Sequence, residues 1–210
     1  MQVYLRDRNS TLTQKWEIVF ANHSDIHVSC GDIFDDGDHM DVDAIVSPAN
    51  SFGFMDGGID YVYSQFFGWK MQEDLQKKIW QDYHGELLVG QATVIDIRES
   101  NPDTPIPYLI SAPTMRVPMN VSQTVNAYLA FLAALRAAVS HPEINSILCP
   151  GLGTAIGEMP YDVCAIQMHA AWLQHTESLG FDVLGMASTD HYTMLSPQAY
   201  VMRALGIENL

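Results

Sequence analysis

Positive charge is scarce in this chain. Its 210 residues hold 10 Lys and Arg against 25 Asp and Glu, a formal net charge of −15. Phosphate backbones and anionic lipid surfaces are gripped through basic footprints, so nonspecific binding to nucleic acid or a membrane surface is not expected. Cysteine is also scarce. Cys30, Cys149 and Cys164 form an odd, widely spaced set, which builds no disulfide framework and suits a reducing compartment. No apolar run approaches the roughly 20 residues of a membrane span. The opening Met1-Gln2-Val3-Tyr4-Leu5-Arg6-Asp7 lacks the apolar core of a signal peptide, so a cytoplasmic location is expected. Metal-ligand patterns are missing too. His169 and His175 would fall on different faces of a helix, which reads as surface or packing. The Asp35-Asp36-Gly37-Asp38 run lacks the distal bidentate Glu of a calcium loop and reads as a solvated loop. No metal and no cofactor are expected.

What remains is a globular composition, 48% apolar and 17% charged, in a length that most simply makes one domain over residues 1–210. Two segments carry chemical information. Val42-Asp43-Ala44-Ile45-Val46-Ser47-Pro48-Ala49-Asn50 reads as a short apolar strand ending in a carboxamide. It runs on through a loop to Gly57-Gly58-Ile59-Asp60. Such a strand–loop–helix junction offers free backbone N–H groups beside an Asn and an Asp. Alone, it reads equally well as a strand with a Gly-rich turn. The second segment, Glu143 to Pro150, is another buried strand. It opens into Gly151-Leu152-Gly153-Thr154-Ala155-Ile156-Gly157 ahead of an amphipathic helix. Three glycines in seven positions let backbone approach an anion closely. No Gly-Lys-Ser/Thr follows, so this is not the Walker sequence. Nor is the spacing that of a dinucleotide fingerprint. Two anion-binding loops at two strand ends predict a crevice between them.

The coarse order of elements is strand and helix in alternation from about residue 85 onward, which predicts a three-layer α/β/α sandwich. Gln2–Leu5 and Trp16–Phe20 read as strands pairing in an N-terminal hairpin extension over about residues 1–22. Further strands are expected at 26–30, 42–47, 91–97, 108–111, 143–150 and 181–184. Helices are expected at 60–67, 71–83, 121–139 and 162–179, the third capped by Asn120 or Ser122. Cys149, inside a strand, reads as an inert buried thiol rather than a nucleophile.

Four segments, over about Ile26 to Phe181, give the chain a resemblance to the macrodomains, a family that binds ADP-ribose and in some branches processes it. Gly31-Asp32-Ile33 resembles the family's Gly-Asp-Ile, and Asp43 to Asn50 is similar to its Asp-Ala-Ile-Val-Asn-Ala-Ala-Asn. Gly57-Gly58-Ile59-Asp60 corresponds to Gly-Gly-Val-Asp, and Gly153-Thr154-Ala155-Ile156 to the Ser-Thr-Gly-Ile diphosphate loop. The resemblance implies a mixed central sheet. It also implies that Asp32 accepts from the adenine amino group while the Ile33 N–H meets a ring nitrogen. Asn50 would orient ribose hydroxyls, and Asp60 would position or deprotonate a water. Gly57, Gly58, Ile59 and the Gly151–Gly157 loop, including Leu152, would hold the diphosphate. The implied activity is hydrolysis of a substituent on the distal ribose, from ADP-ribose-1″-phosphate or a mono-ADP-ribosylated protein. The alternative is a noncatalytic reader of free or protein-linked ADP-ribose. Five positions depart from the family pattern, among them Ala155, which adds a methyl beside the diphosphate. Ser47 replaces its first Asn and Pro48 stiffens the next turn. Tyr61 stands where the de-ADP-ribosylating branch has Gly, and Gly157 where that branch has an aromatic. An adenine-stacking aromatic is not evident in Gly185-Met186-Ala187-Ser188, and Tyr192 is the nearest substitute.

Overall fold

A computed structural model describes residues 1–35, 41–176 and 191–204. Six strands, β1 (Gln2–Asp7), β2 (Ile26–Cys30), β3 (Ala44–Ser47), β4 (Thr93–Asp96), β5 (Tyr108–Ser111) and β6 (Ser146–Cys149), form one sheet in the order β2-β1-β6-β3-β5-β4. All neighbours pair parallel except β4, which runs antiparallel to β5, so the sheet is mixed. The inner strands are short and apolar on both faces, as parallel strands covered on both sides must be. Helices α1 (Ser10–Val19), α4 (Asn126–Ser140) and α5 (Tyr161–Thr176) bury Leu12, Trp16, Phe131, Leu135, Met168 and Trp172 on one face. Helices α2 (Gly58–Phe67) and α3 (Lys70–Tyr83) bury Tyr63, Phe67, Met71, Leu75 and Ile79 on the other. The fold is a three-layer α/β/α sandwich. A last helix, α6 (Pro197–Ala204), packs against α5.

The N-terminal hairpin does not form. Trp16–Phe20 lies in and just after α1, where Leu12, Thr13, Trp16 and Phe20 are buried at helical spacing. The short apparent alternation at residues 16–20 is one side of a helical stripe, and periodicity over five residues does not separate the two. Asn9 caps the helix, its Oδ1 accepting from the N–H groups of Thr11 at 3.0 Å and Leu12 at 3.3 Å. Strand β1 is not an appendage either. It pairs with β2 on one side and β6 on the other, placing its C-terminal end inside the sheet's working edge.

Helix α4 starts at Asn126 rather than near residue 121, and neither Asn120 nor Ser122 caps it. Asn120 Oδ1 accepts from the backbone N–H and the hydroxyl of Ser122, at 2.9 and 2.7 Å, holding a turn. Val121 donates its N–H to the Gly157 carbonyl at 2.8 Å. These residues are spent on bracing the glycine loop and do not extend the helix. The strand expected at 181–184, the helix end beyond 176 and the Gly185–Ser188 segment lie outside the described residues.

Candidate functional site

The C-terminal ends of β1, β3, β5 and β6 all point the same way, and a cavity of about 580 Å³ opens above them. That is where ligands sit in open α/β sheets, and the volume is in the range of small-molecule sites. Its wall brings together Asp32, Ile33, Asn50, Gly57, Gly58, Ile59, Asp60, Gly151, Gly153, Thr154, Ala155, Ile156 and Gly157. Two of the expected residues are not in it. Leu152 points into the core with no exposure. Tyr192 is 71% exposed and is not part of the wall.

Two runs of residues with unengaged backbone N–H groups line the cavity. Helix α2 begins at Gly58 behind an N-cap, Gly57, that supplies no side-chain hydrogen bond, so among the described residues its first N–H groups have no acceptor. Across the cavity, the N–H groups of Thr154, Ala155, Ile156 and Gly157 have no acceptor among the described residues. The loop carrying them is tight. Gly153, at φ +72°, accepts at its carbonyl from the Met159 N–H at 3.0 Å. A Cβ on Gly157 would collide with the Gly153 carbonyl oxygen and come within 2.7 Å of Val121 Cγ2. Gly151 is different. Its N–H is already committed to Asp7 Oδ2 at 3.1 Å, and Asp7 Oδ1 accepts from the Asn9 N–H at 2.8 Å.

Asp60 sits in the first turn of α2, 8% exposed, on the cavity wall. Its Oδ1 accepts from the Ser47 hydroxyl at 2.5 Å. Burial pushes the Asp60 carboxyl up to about 7, opposed by that hydrogen bond. A buried carboxylate at a cavity edge that titrates near neutrality has the character of a general acid or base. Asn50 lies on the same wall but is engaged with its own loop. Its side-chain N–H donates to the Phe54 carbonyl at 2.8 Å, and its Oδ1 accepts from the N–H groups of Phe52 at 3.0 Å and Phe54 at 3.3 Å.

At the opposite end Asp32 pairs with the Arg8 guanidinium, while its Oδ1 accepts from the Phe34 N–H at 2.9 Å. Beneath it Arg6 donates from Nε to the Asp32 carbonyl at 2.6 Å and from Nη1 to Ser29 Oγ at 2.9 Å. Gly31, at φ +154°, lies against that guanidinium so closely that a Cβ would overlap Arg6 Nη2. Arg6, Asp7, Arg8 and Asn9 are thus wall residues that sequence reasoning did not single out. They bring two of the chain's few cations to the cavity. The available signal was the alternation in Gln2–Leu5, which marks a strand whose C-terminal end carries those four residues. Tyr161, whose hydroxyl accepts from Asn9 Nδ2 at 2.8 Å, was also missed. Among the described residues no group of three or more His, Cys, Asp and Glu could hold a metal ion, and no helix is long and apolar enough to cross a membrane.

This architecture is found in known proteins. The chain is 32% identical over 130 residues to an uncharacterized protein of Aeropyrum pernix, covering 62% of this chain and 61% of that one. It is 31% identical over 129 residues to one of Aquifex aeolicus, covering 61% of this chain and 72% of that one. Among solved structures, the macrodomain of Mycobacterium tuberculosis DarG superposes with a TM-score of 0.56 at 20% identity, covering 70% of this chain and 88% of that one. That of Thermus aquaticus DarG gives 0.55 at 18%, covering 80% and 90%. The Oceanobacillus iheyensis macrodomain, solved with ADP, gives 0.54 at 19%, covering 69% and 74%. At these identities the structural likenesses speak for the fold. The family model described as the Macro-like domain matches residues 33–187, well over half of the chain, and the chain belongs to that family.

Proposed function

We propose that the cavity binds ADP-ribose and that the protein hydrolyses a substituent from its distal ribose, a phosphate at the 1″ position or the side chain of a mono-ADP-ribosylated protein. The observation that carries this reading is Asp60, a nearly buried carboxyl on the cavity wall held by Ser47 and pushed up to about 7 by burial. It stands at the start of α2, across from a row of open N–H groups. The two runs meet the diphosphate, which suits a chain whose net charge of −15 repels anions elsewhere. Adenine lies toward Asp32 and Ile33, and the distal ribose toward Asp60. There Asp60 takes a proton from the attacking water, a step typically contributing about 10²–10⁴-fold. The rest of the acceleration comes from fixing the water and the ribose in one geometry. The Oceanobacillus iheyensis macrodomain has been solved with ADP and, as a variant, with ADPR, which is in keeping with such a ligand.

A second reading, a reader of free or protein-linked ADP-ribose without catalysis, draws on Asn50. Its amide is tied to Phe52 and Phe54, which leaves little of it for orienting a ribose hydroxyl. Incubation with ADP-ribose-1″-phosphate and with a mono-ADP-ribosylated protein separates the two readings. The hydrolase turns over at least one of them. Tight ADP-ribose binding with neither substrate consumed selects the reader.

A further inference from the structure

We infer that Ser47 is a positioning residue for Asp60. By donating its hydroxyl to Oδ1 within the joint between β3 and α2, it fixes the carboxylate so that Oδ2 is the oxygen offered to a water in the cavity. This rests on the hydrolase reading of the site.

The geometry is specific. Ser47 is the last residue of β3, fully buried, and its side chain projects to the same face of the sheet as Ile45, against α2. Asp60 is the third residue of α2. The 2.5 Å bond between them spans strand and helix, and both ends sit on rigid elements. A carboxylate so shielded has few donors to choose from. The titratable groups nearby do not replace Ser47. Tyr63, on the same helix, gives its hydroxyl to the Val46 carbonyl at 3.1 Å. Asp7, at the end of β1, is occupied by Gly151 and Asn9. Cys149 on β6 is buried, with its thiol pushed up by that burial, and Asp56 on the loop before α2 brings only a like charge. Removing the Ser47 hydroxyl therefore takes away what opposes desolvation of the Asp60 charge and frees the carboxyl to rotate.

The Ser47 hydroxyl, at a strand end with no exposure, can rotate to meet the carboxylate.

The test is a pH profile read alongside a titration. The Asp60 carboxyl is followed by ¹³C NMR in ligand-free native protein and in Ser47→Ala, and turnover of the accepted substrate is measured over pH 5–9. In Ser47→Ala the titration midpoint rises by about one pH unit or more, as loss of a hydrogen bond to a charged group requires. The acid limb of kcat moves by the same amount, so kcat at pH 6 falls about tenfold while KM changes less than about twofold. Ser47→Thr, which keeps the hydroxyl, restores the profile toward native. If Ser47→Ala does not fold, Ser47→Cys, close in size with a weak donor, is read in the same way. An unmoved midpoint overturns the inference, as does a pH-independent loss of kcat that merely tracks a lower melting temperature. Because the titration needs no turnover, native protein that binds ADP-ribose but consumes neither substrate refutes the hydrolase reading separately. A shifted midpoint would in that case leave Ser47 a purely structural partner of Asp60.

Discussion

Replacing Gly157 with alanine adds one methyl group, and the structure says where it goes. The new Cβ would overlap the Gly153 carbonyl oxygen and lie 2.7 Å from Val121 Cγ2. The first of these is backbone, and Val121 is itself pinned by donating its N–H to Gly157. Relief therefore requires the 153–157 turn to open. Overpacking of this kind costs about 1–3 kcal/mol, and in a chain of this size each kcal/mol lowers the melting temperature by about 2–4 °C. A fall of roughly 2–12 °C is expected by scanning calorimetry. The open N–H groups of Thr154, Ala155, Ile156 and Gly157 move with the turn, so ADP-ribose affinity measured by titration calorimetry falls about tenfold or more. Gly57→Ala is the control. Its Cβ meets nothing within 4 Å and its φ of −143° suits any residue, so it melts within about a degree or two of native. A Gly157→Ala protein as stable as Gly57→Ala and as tight-binding as the native protein would refute the tight-loop account of the anion site.

Acid should weaken the fold through a second cluster, remote from the cavity. His23 accepts at Nδ1 from Trp172 Nε1 at 3.1 Å, its Nε2 lies 3.0 Å from His169 Nε2, and His169 Nδ1 lies 2.6 Å from the Tyr200 hydroxyl on α6. The chain of bonds closes only with the His169 ring neutral, and burial followed by the His23 neighbour holds His169 down at about 4. A folded value below the ordinary 6.5 means the unfolded chain binds the proton more tightly. This stability is complete above about pH 6.5 and is lost as pH falls toward 4. At full weight that is about 3 kcal/mol, and partial exposure reduces it to roughly 1–2 kcal/mol. Asp60, raised from 3.8, runs the opposite way, so the readout is the difference in melting temperature between native and His169→Asn across pH 7 to 4, which narrows as pH falls. At the end proposed for adenine, Asp32 can accept but not donate while ionised, so a purine with a 6-oxo group would set acceptor against acceptor. Inosine-diphosphate-ribose should bind about tenfold weaker than ADP-ribose, a loss on the order of 1–3 kcal/mol, and Asp32→Ala should erase the difference. Equal calorimetric affinities in the native protein would move adenine elsewhere.

Much of the fold was legible because the inner strands are short apolar runs with sharp ends. Tyr108–Ser111 and Ile26–Cys30 appear at the residues expected, and α2 and α3 begin within two residues of expectation. The two glycine loops converge on one cavity, as strand ends followed by open backbone predict. What failed were readings that depend on tertiary context. Trp16–Phe20 showed a period of two over too few residues, and only the packing of Leu12 and Trp16 against the sheet reveals the helix. Placing β1 between β2 and β6 brings Arg6, Arg8 and Asn9 to the cavity, and no local pattern announces such a pairing. Asn120 and Val121 look like a helix start in sequence but brace the Gly157 loop instead. Asn50 was legible as a wall residue. Its engagement with Phe52 and Phe54 was not, since a side chain bonding its own loop leaves no mark in composition or spacing.

The central claim is that Asp60 does chemistry in a cavity that binds ADP-ribose without it. Single-turnover rates on the accepted substrate, measured for native protein and Asp60→Asn with ADP-ribose affinity taken on the same samples, test it most directly. The account predicts a rate lower by about 10²–10⁴-fold in Asp60→Asn with affinity held within a few-fold. An Asp60→Asn protein that turns over at the native rate, or one whose rate falls only as far as its affinity does, would contradict it.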